Sequence, residues 1–217
     1  MSSDDVAVSL GRPEAASIAT LDFIAAEAAY LFLLGDEQTS HSVLHALVAE
    51  DRLEYAAGCS FGIKRSDSWA GFAAIQTFSQ RRAQAPLHIR GLTREAVRHS
   101  LAVPTLNQRL RDMRGSLAQL EPADMYLARI AVLPGNRRSG IGRLLMREAF
   151  RQFSNSDAER LILDVAAENM SAINFYRSLG FTSHERDPEA GSSAPRFLAL
   201  SISKPMRLLG TLNYPGE

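Results

Sequence analysis

The residues best suited to chemistry form a short run, Arg137-Arg138-Ser139-Gly140-Ile141-Gly142. An apolar stretch ends just before it, near Leu133, and a segment with one-sided apolar spacing starts at Ile141. A strand–loop–helix junction of this kind binds anions. The first amides of a helix have no acceptor inside the helix, and the helix dipole adds positive potential there. Glycines at 140 and 142 remove side chains that would block a pyrophosphate, and Arg137 and Arg138 add charge and donors. Ser139 and Ile141 complete the run of amides.

Two familiar phosphate loops fail on spacing. A Walker A loop needs Lys followed by Ser or Thr after its second glycine. Gly135 and Gly140 have the interval, but Ile141-Gly142 follows. A dinucleotide fingerprint needs a small residue where Leu145 stands. On these residues alone, a glycine-containing turn with incidental arginines remains open.

A second pattern lies downstream, with Asn169, Ala172, Phe175, Tyr176, Gly180 and Phe181 in register. Together the two stretches, over about 125–181, resemble the GNAT superfamily of acyl-CoA-dependent N-acyltransferases. Arg137, Gly140 and Gly142 match that family's loop, and the second set matches its downstream motif. The resemblance implies two parallel central strands, near 125–133 and 161–166, that splay apart around acetyl-CoA. It places the pantetheine arm along Ile130, Ala131 and Val132 and the pyrophosphate on the amides from Arg138 to Gly142. It makes Tyr176 the proton donor to the leaving thiolate. Asn169 either touches the cofactor arm or holds the strand end.

The acceptor side is less defined. Many relatives carry an acidic residue near position 129, where this chain has Arg129, the single charge in an apolar run. A buried charge needs a partner. Arg129 therefore either binds an anionic acceptor or forms an internal ion pair. Asp164, on the neighbouring strand, alternates away from Leu163 and Val165. It is the candidate base or amine anchor, with a structural salt bridge as the competing role.

The elements needed to position these residues can be read along the chain. A short strand is expected at 6–10, a turn at Gly11-Arg12-Pro13, and an Ala-rich helix to about Leu34. Thr39 or Ser40 can cap a second helix. Strands at 55–64 and 69–77 flank a hairpin turn at 65–68. A helical insertion is expected at about 79–122, with Thr93 capping a short helix and Thr105 a longer one. The longer helix bears Leu106, Leu110, Met113, Leu117 and Leu120 at helical spacing. That stripe packs on its own domain, covers the substrate cleft or meets a second subunit. Strand, helix 141–153, strand 161–166, helix 170–179 closed by Gly180, and a strand at 196–203 complete an α/β (α+β) order in one domain.

Composition sets outer bounds. The 217 residues are 46% hydrophobic and 22% charged, with zero net charge. Zero net charge argues against general nucleic-acid binding. The eight arginines between Arg81 and Arg114, against Glu95 and Asp112, form a local basic segment instead. No apolar run approaches the roughly 20 residues of a membrane span, so no membrane role is expected. One cysteine, Cys59, leaves no intrachain disulfide and indicates a reducing, cytoplasmic setting. His41 and His45 have the spacing of a metal pair, but no third ligand pattern accompanies them, so no metal is expected. The expected activity is N-acetylation of a small-molecule amine by acetyl-CoA. Acetylation of a protein lysine or N-terminus, or acyl-CoA sensing without turnover, are the alternatives. A homodimer is compatible with either activity.

Overall fold

The computed structural model describes residues 15–53, 59–65, 68–183 and 194–204. The expected strand at 6–10, the turn at 11–13, the start of the strand expected from Tyr55, Ser66 and Asp67 of the hairpin turn, and His184 lie outside them. The described chain runs α1 (Ala15–Leu34), α2 (Glu37–Ala49), β1 (Ser60–Arg65), β2 (Ser68–Thr77), α3 (Phe78–Arg98) and α4 (Val103–Ser116). It continues β3 (Asp124–Val132), α5 (Ile141–Ser154), β4 (Arg160–Ala166), α6 (Met170–Ser178), β5 (Thr182–Ser183) and β6 (Phe197–Ser203).

The strands form one mixed sheet in the order β1-β2-β3-β4-β6-β5. Only β3 and β4 are parallel neighbours; the other pairs are antiparallel. Side-chain alternation gives the sheet two apolar faces. On one, Phe72, Tyr126, Ala128 and Ile162 pack with the helices α1 to α4. On the other, Ile75, Met125, Leu127, Leu161 and Leu163 pack with α5 and α6. Ile141, Leu145, Ala149 and Phe153 form the buried face of α5. Each such large side chain contributes about 1.5–3 kcal/mol on burial.

The helical insertion differs in detail from expectation. Asp36, not Thr39 or Ser40, caps α2, and its carboxylate accepts from the Thr39 amide at 2.8 Å. Gly35 stops α1 with φ +100°, which leaves Asp36 the first residue able to cap. Thr93 caps nothing. A capping box of Thr77 and Gln80 starts α3, which passes through Thr93 as one helix, and the Thr93 hydroxyl donates to Ile89 O at 2.8 Å. Thr105 lies inside α4, because Pro104 occupies the first turn, where a missing N–H costs nothing. The α4 stripe packs on its own fold: Leu106 and Met113 are buried, and Leu110, Leu117 and Leu120 lean on the α1–α2 core.

In α1, residues Ser17–Leu34 are long and apolar enough, by length and composition, to cross a membrane. The helix was expected, but not its span-like character, because Asp22 and Glu27 interrupt its apolar residues. In the fold it is a core helix. Ile18, Leu21, Phe23, Tyr30, Leu33 and Leu34 are buried, and Asp22 is fully buried with them.

Candidate active site

The site begins where the sheet opens. β3 and β4 pair at Asp124–Arg160, Met125–Leu161 and Tyr126–Ile162, and there the parallel ladder ends. Both strands continue, however, β3 to Val132 along β2 and β4 to Ala166 along β6. Between them lies a gap whose walls are backbone edges in the middle of a sheet. Such edges need hydrogen-bonding partners. The cause is local. The β2–β3 register shifts so that Ala74 faces Arg129 while Ile75 faces Leu127, leaving Ala128 as the extra residue of a β-bulge. A bulge bends its strand and sharpens the twist, and this one begins where β4 parts from β3.

The anion loop stands at the open end. After β3 a 3-10 turn, Pro134–Asn136, leads into loop 137–140. Arg138 has φ +61° and Gly140 φ +87°. The left-handed region costs an L-residue about 1–2 kcal/mol. Alternating handedness turns successive amides toward one point, as in anion-binding nests. The Ser139 hydroxyl donates to Asn136 O at 2.5 Å, so it braces the loop. Gly140 is the N-cap of α5 and offers no side-chain acceptor, so the first α5 amides are left for an outside anion. A Cβ on Gly140 would meet nothing within 4 Å. A Cβ on Gly142 would lie 3.4 Å from Phe175 Cζ, an ordinary contact distance, so this glycine also sits where α5 meets α6. Arg137 folds back, its Nε donating to Val132 O at 3.3 Å.

Replacing Arg138 with glycine separates its charge from its strain. If the loop holds the pyrophosphate of the expected acetyl-CoA, Arg138→Gly should weaken its binding about tenfold, the value of a lost charge-assisted hydrogen bond. Thermal stability should stay within about 1 kcal/mol, since relieved backbone strain offsets the added chain entropy. Calorimetric titration and a melting curve check both.

Helix α6 carries Tyr176, the expected proton donor. Asn169 Oδ1 accepts from the Ala172 amide at 3.1 Å, so Asn169 caps α6. The Asn169 side chain is exposed. At the other end, Phe181 N donates to Tyr176 O and Gly180 N to Arg177 O, with Gly180 at φ +93°. This is a Schellman closure. It explains the spacing of Tyr176, Gly180 and Phe181 and fixes where Tyr176 points. Tyr176 is buried among Phe175 and Phe181, with ring centroids at 5.5 and 5.8 Å. Burial pushes its phenol well above the usual tyrosine value. Ile130, Val132, Ile141 and Tyr176 thus share the α5–α6 face.

Arg129 and Asp164 do not join that group. Arg129 Nε donates to Asp22 Oδ1 of α1 at 2.7 Å, its Nη1 to Ala128 O at 2.6 Å, and its Nη2 to Tyr30 Oη at 3.3 Å. Tyr30 in turn donates to Asp22 Oδ2 at 2.7 Å. The acceptor-binding reading of Arg129 therefore gives way, in this geometry, to the internal ion pair: its charge is matched by a fully buried carboxylate. Asp164 lies on the α1–α4 face of β4. Its Oδ1 accepts from the Ala118 amide and its Oδ2 from Tyr126 Oη, both at 2.9 Å. Here too a role inside the fold is visible, made of hydrogen bonds where a salt bridge was the expected alternative. Asp22, Tyr126 and Ala118 were missed by sequence reasoning. Of these only Asp22 carried a signal, a carboxylate within an apolar helical run.

Among the described residues no group of three or more His, Cys, Asp or Glu is placed to hold a metal. His41 sits 3.7 Å from Glu37 and packs on Phe23. Cys59 is buried in the core.

Known proteins resemble this chain in part of its sequence or in its fold. Human N-alpha-acetyltransferase 30 is 34% identical over 61 residues, which is 28% of this chain and 17% of that protein. The match thus spans less than a fifth of the human relative. An N-acetyltransferase from Staphylococcus aureus Mu50 superposes with a TM-score of 0.58 at 11% identity, over 89% of this chain and 100% of that one. The PaiA N-acetyltransferase from Thermoplasma acidophilum, solved with coenzyme A, gives 0.52 at 14% identity, over 91% and 99%. At such identities the likeness is one of fold. A model of the Acetyltransferase (GNAT) family matches residues 26–181. Because that match takes in most of the chain, insertion and loop included, the protein belongs to the Acetyltransferase (GNAT) family.

Proposed function

We propose that this acyltransferase moves an acetyl group from acetyl-CoA to a primary amine of a small molecule, by direct attack with both substrates bound. The observation that carries the reading is the break in the β3–β4 ladder after Tyr126–Ile162, beside an uncapped helix start. The residues fit coenzyme A. The open edge of β3 offers backbone partners to an extended arm, and the amides at 138–142 with Arg138 suit its pyrophosphate. When bound, the cofactor supplies a thioester whose acyl carbon an amine can attack. Tyr176 Oη holds a proton for the departing sulfur. The PaiA neighbour's coenzyme A supports this choice of donor.

A small acceptor is favoured by the far side of the gap. Segment 117–123 returns from α4 over the face of β4 and is fixed at both ends. Ala118 is held by Asp164, while Glu121 and Asp124 are held by Arg160 at 2.9 and 2.7 Å. That cover over β4 favours a small acceptor over an extended peptide. The similarity to human N-alpha-acetyltransferase 30 favours a second reading, acetylation of a protein N-terminus. One assay separates the readings: acetyl-CoA with a panel of small amines and peptides, followed by release of free thiol. Thiol release with small amines alone is expected. Release with peptides alone would replace the reading by the second, and tight cofactor binding without release would make the protein a sensor.

A further inference from the structure

We infer that Asp164 is a positioning residue that latches segment 117–123 over the acceptor side of the gap and thereby sets how large an acceptor amine can be. The inference deepens the acetyl-transfer reading and rests on it.

Three observations converge. First, the segment lies along β4 in the reverse sense. Ala118 meets Asp164 near the open end, and Asp124 meets Arg160 at the closed end. Positions 160, 162 and 164 of β4 alternate to one face, so the segment covers that face along the strand. Second, the two attachments differ in strength. At the closed end Arg160 binds Asp124 through Nε and Nη2, binds Glu121 as well, and the Glu121 amide donates to Asp124 at 2.6 Å. Ionic and redundant, this end is a hinge that stays shut. At the open end, the Ala118–Asp164 bond is the backbone anchor. Third, Asp164 is itself aimed. Tyr126 Oη donates to its second oxygen, Tyr126 is buried, and the Arg81 guanidinium lies 4.0 Å from the Tyr126 ring centroid. Tyr126 is also the last β3 residue paired with β4. The group that aims the latch therefore stands at the vertex of the gap. Strap and gap thus share one structural element, Tyr126.

The chemistry of Asp164 separates this role from that of a base. Asn at 164 keeps an oxygen for the Ala118 amide and a polar atom for Tyr126, but it cannot take a proton from an amine. Asp164→Ala removes both bonds. Ala118→Pro removes only the strap's donor and leaves the carboxylate; Leu117, at φ −99° and ψ 156°, already has a backbone that a following proline accepts.

The test compares these three variants of the full chain. It measures kcat and KM for a small and a bulky primary amine, and hydrogen exchange at segment 117–124. Asp164→Ala and Ala118→Pro should each shift the bulky-to-small ratio of kcat/KM about tenfold toward the bulky amine, the value of one hydrogen bond to a charged group. The shift should appear mainly in KM, and exchange across the segment should rise. Asp164→Asn should rescue both selectivity and protection. Loss of kcat with every amine in Asp164→Asn as in Asp164→Ala would make the carboxylate a proton acceptor and overturn the inference. A selectivity ratio unmoved by Ala118→Pro would also overturn it. If the unaltered protein acetylated no amine, the transfer reading would fall, while the exchange data would still report on the latch.

Discussion

Tyr176→Phe is expected to cut turnover by about 10²–10⁴-fold, the usual contribution of a positioned general acid. Acetyl-CoA affinity should change little. The substitution removes one oxygen and preserves the ring, which packs between Phe175 and Phe181. The α6 closure through Gly180 and Phe181 uses the backbone of Tyr176, so it survives. Stability should hold within about 1 kcal/mol. A fall in cofactor affinity equal to the fall in turnover would show that Tyr176 binds and does not transfer a proton.

The pH profile makes the same point independently. Burial raises the Tyr176 pKa, so the folded protein holds this proton more tightly than an unfolded chain. The sign follows: any stability from the neutral phenol is complete below the ordinary tyrosine pKa of about 10 and is lost as pH rises above it. Between pH 6 and 9 the acid stays protonated, so kcat/KM should rise with deprotonation of the acceptor amine and show no falling limb from Tyr176. The raised pKa also bounds the chemistry. A thiol pKa of about 8.5 makes complete transfer from such a phenol uphill. On this reading Tyr176 strengthens a hydrogen bond as charge builds on sulfur, and the thiolate gains a full proton only as the ammonium formed by attack of the neutral amine gives one up. Tyr176→Phe should remove rate across the whole interval without changing the profile's shape.

Legibility in the sequence followed the range of the interactions. Loop 137–142 and the turn at Gly180 were readable because their geometry depends on residues within one or two turns of chain. What stayed hidden there was the contact of Gly142 with Phe175, which is far along the chain and comes close only when α5 and α6 pack. Thr93 and Thr105 looked like caps because each has local capping chemistry, but a stronger local signal, Thr77 with Gln80 or Pro104, took the helix start elsewhere. The bulge at Ala128 left no trace, as alanine is indifferent to face. Arg129 and Asp164 stood out as charges in apolar strands. Their partners, Asp22 and Ala118, lie 107 and 46 residues away. Sequence raised the question of a partner for each, and only the packing of α1 and of segment 117–123 answered it.

Asp22→Ala should be the most damaging single change to stability, by about 3–5 kcal/mol, because it strands a buried guanidinium. For a chain of this size that is roughly 6–20 °C in melting temperature. Asp22 is fully buried and accepts from both Arg129 and Tyr30, so no water replaces it cheaply. Removing both charges tells more. Asp22→Leu with Arg129→Met deletes the pair together and should return stability to within about 1 kcal/mol of the parent, since paired burial of ions gains little over apolar packing. With stability restored, function can be read cleanly. Arg129 sits at the bulge that opens the gap, and its Nη1 holds the carbonyl of the bulged Ala128. If the pair only fastens α1 to the bend, the double variant should keep the acceptor KM, and any loss should fall on kcat as the strand edge loosens. A raised acceptor KM at unchanged cofactor affinity would instead return Arg129 to the acceptor, with Asp22 as the partner that holds its charge ready.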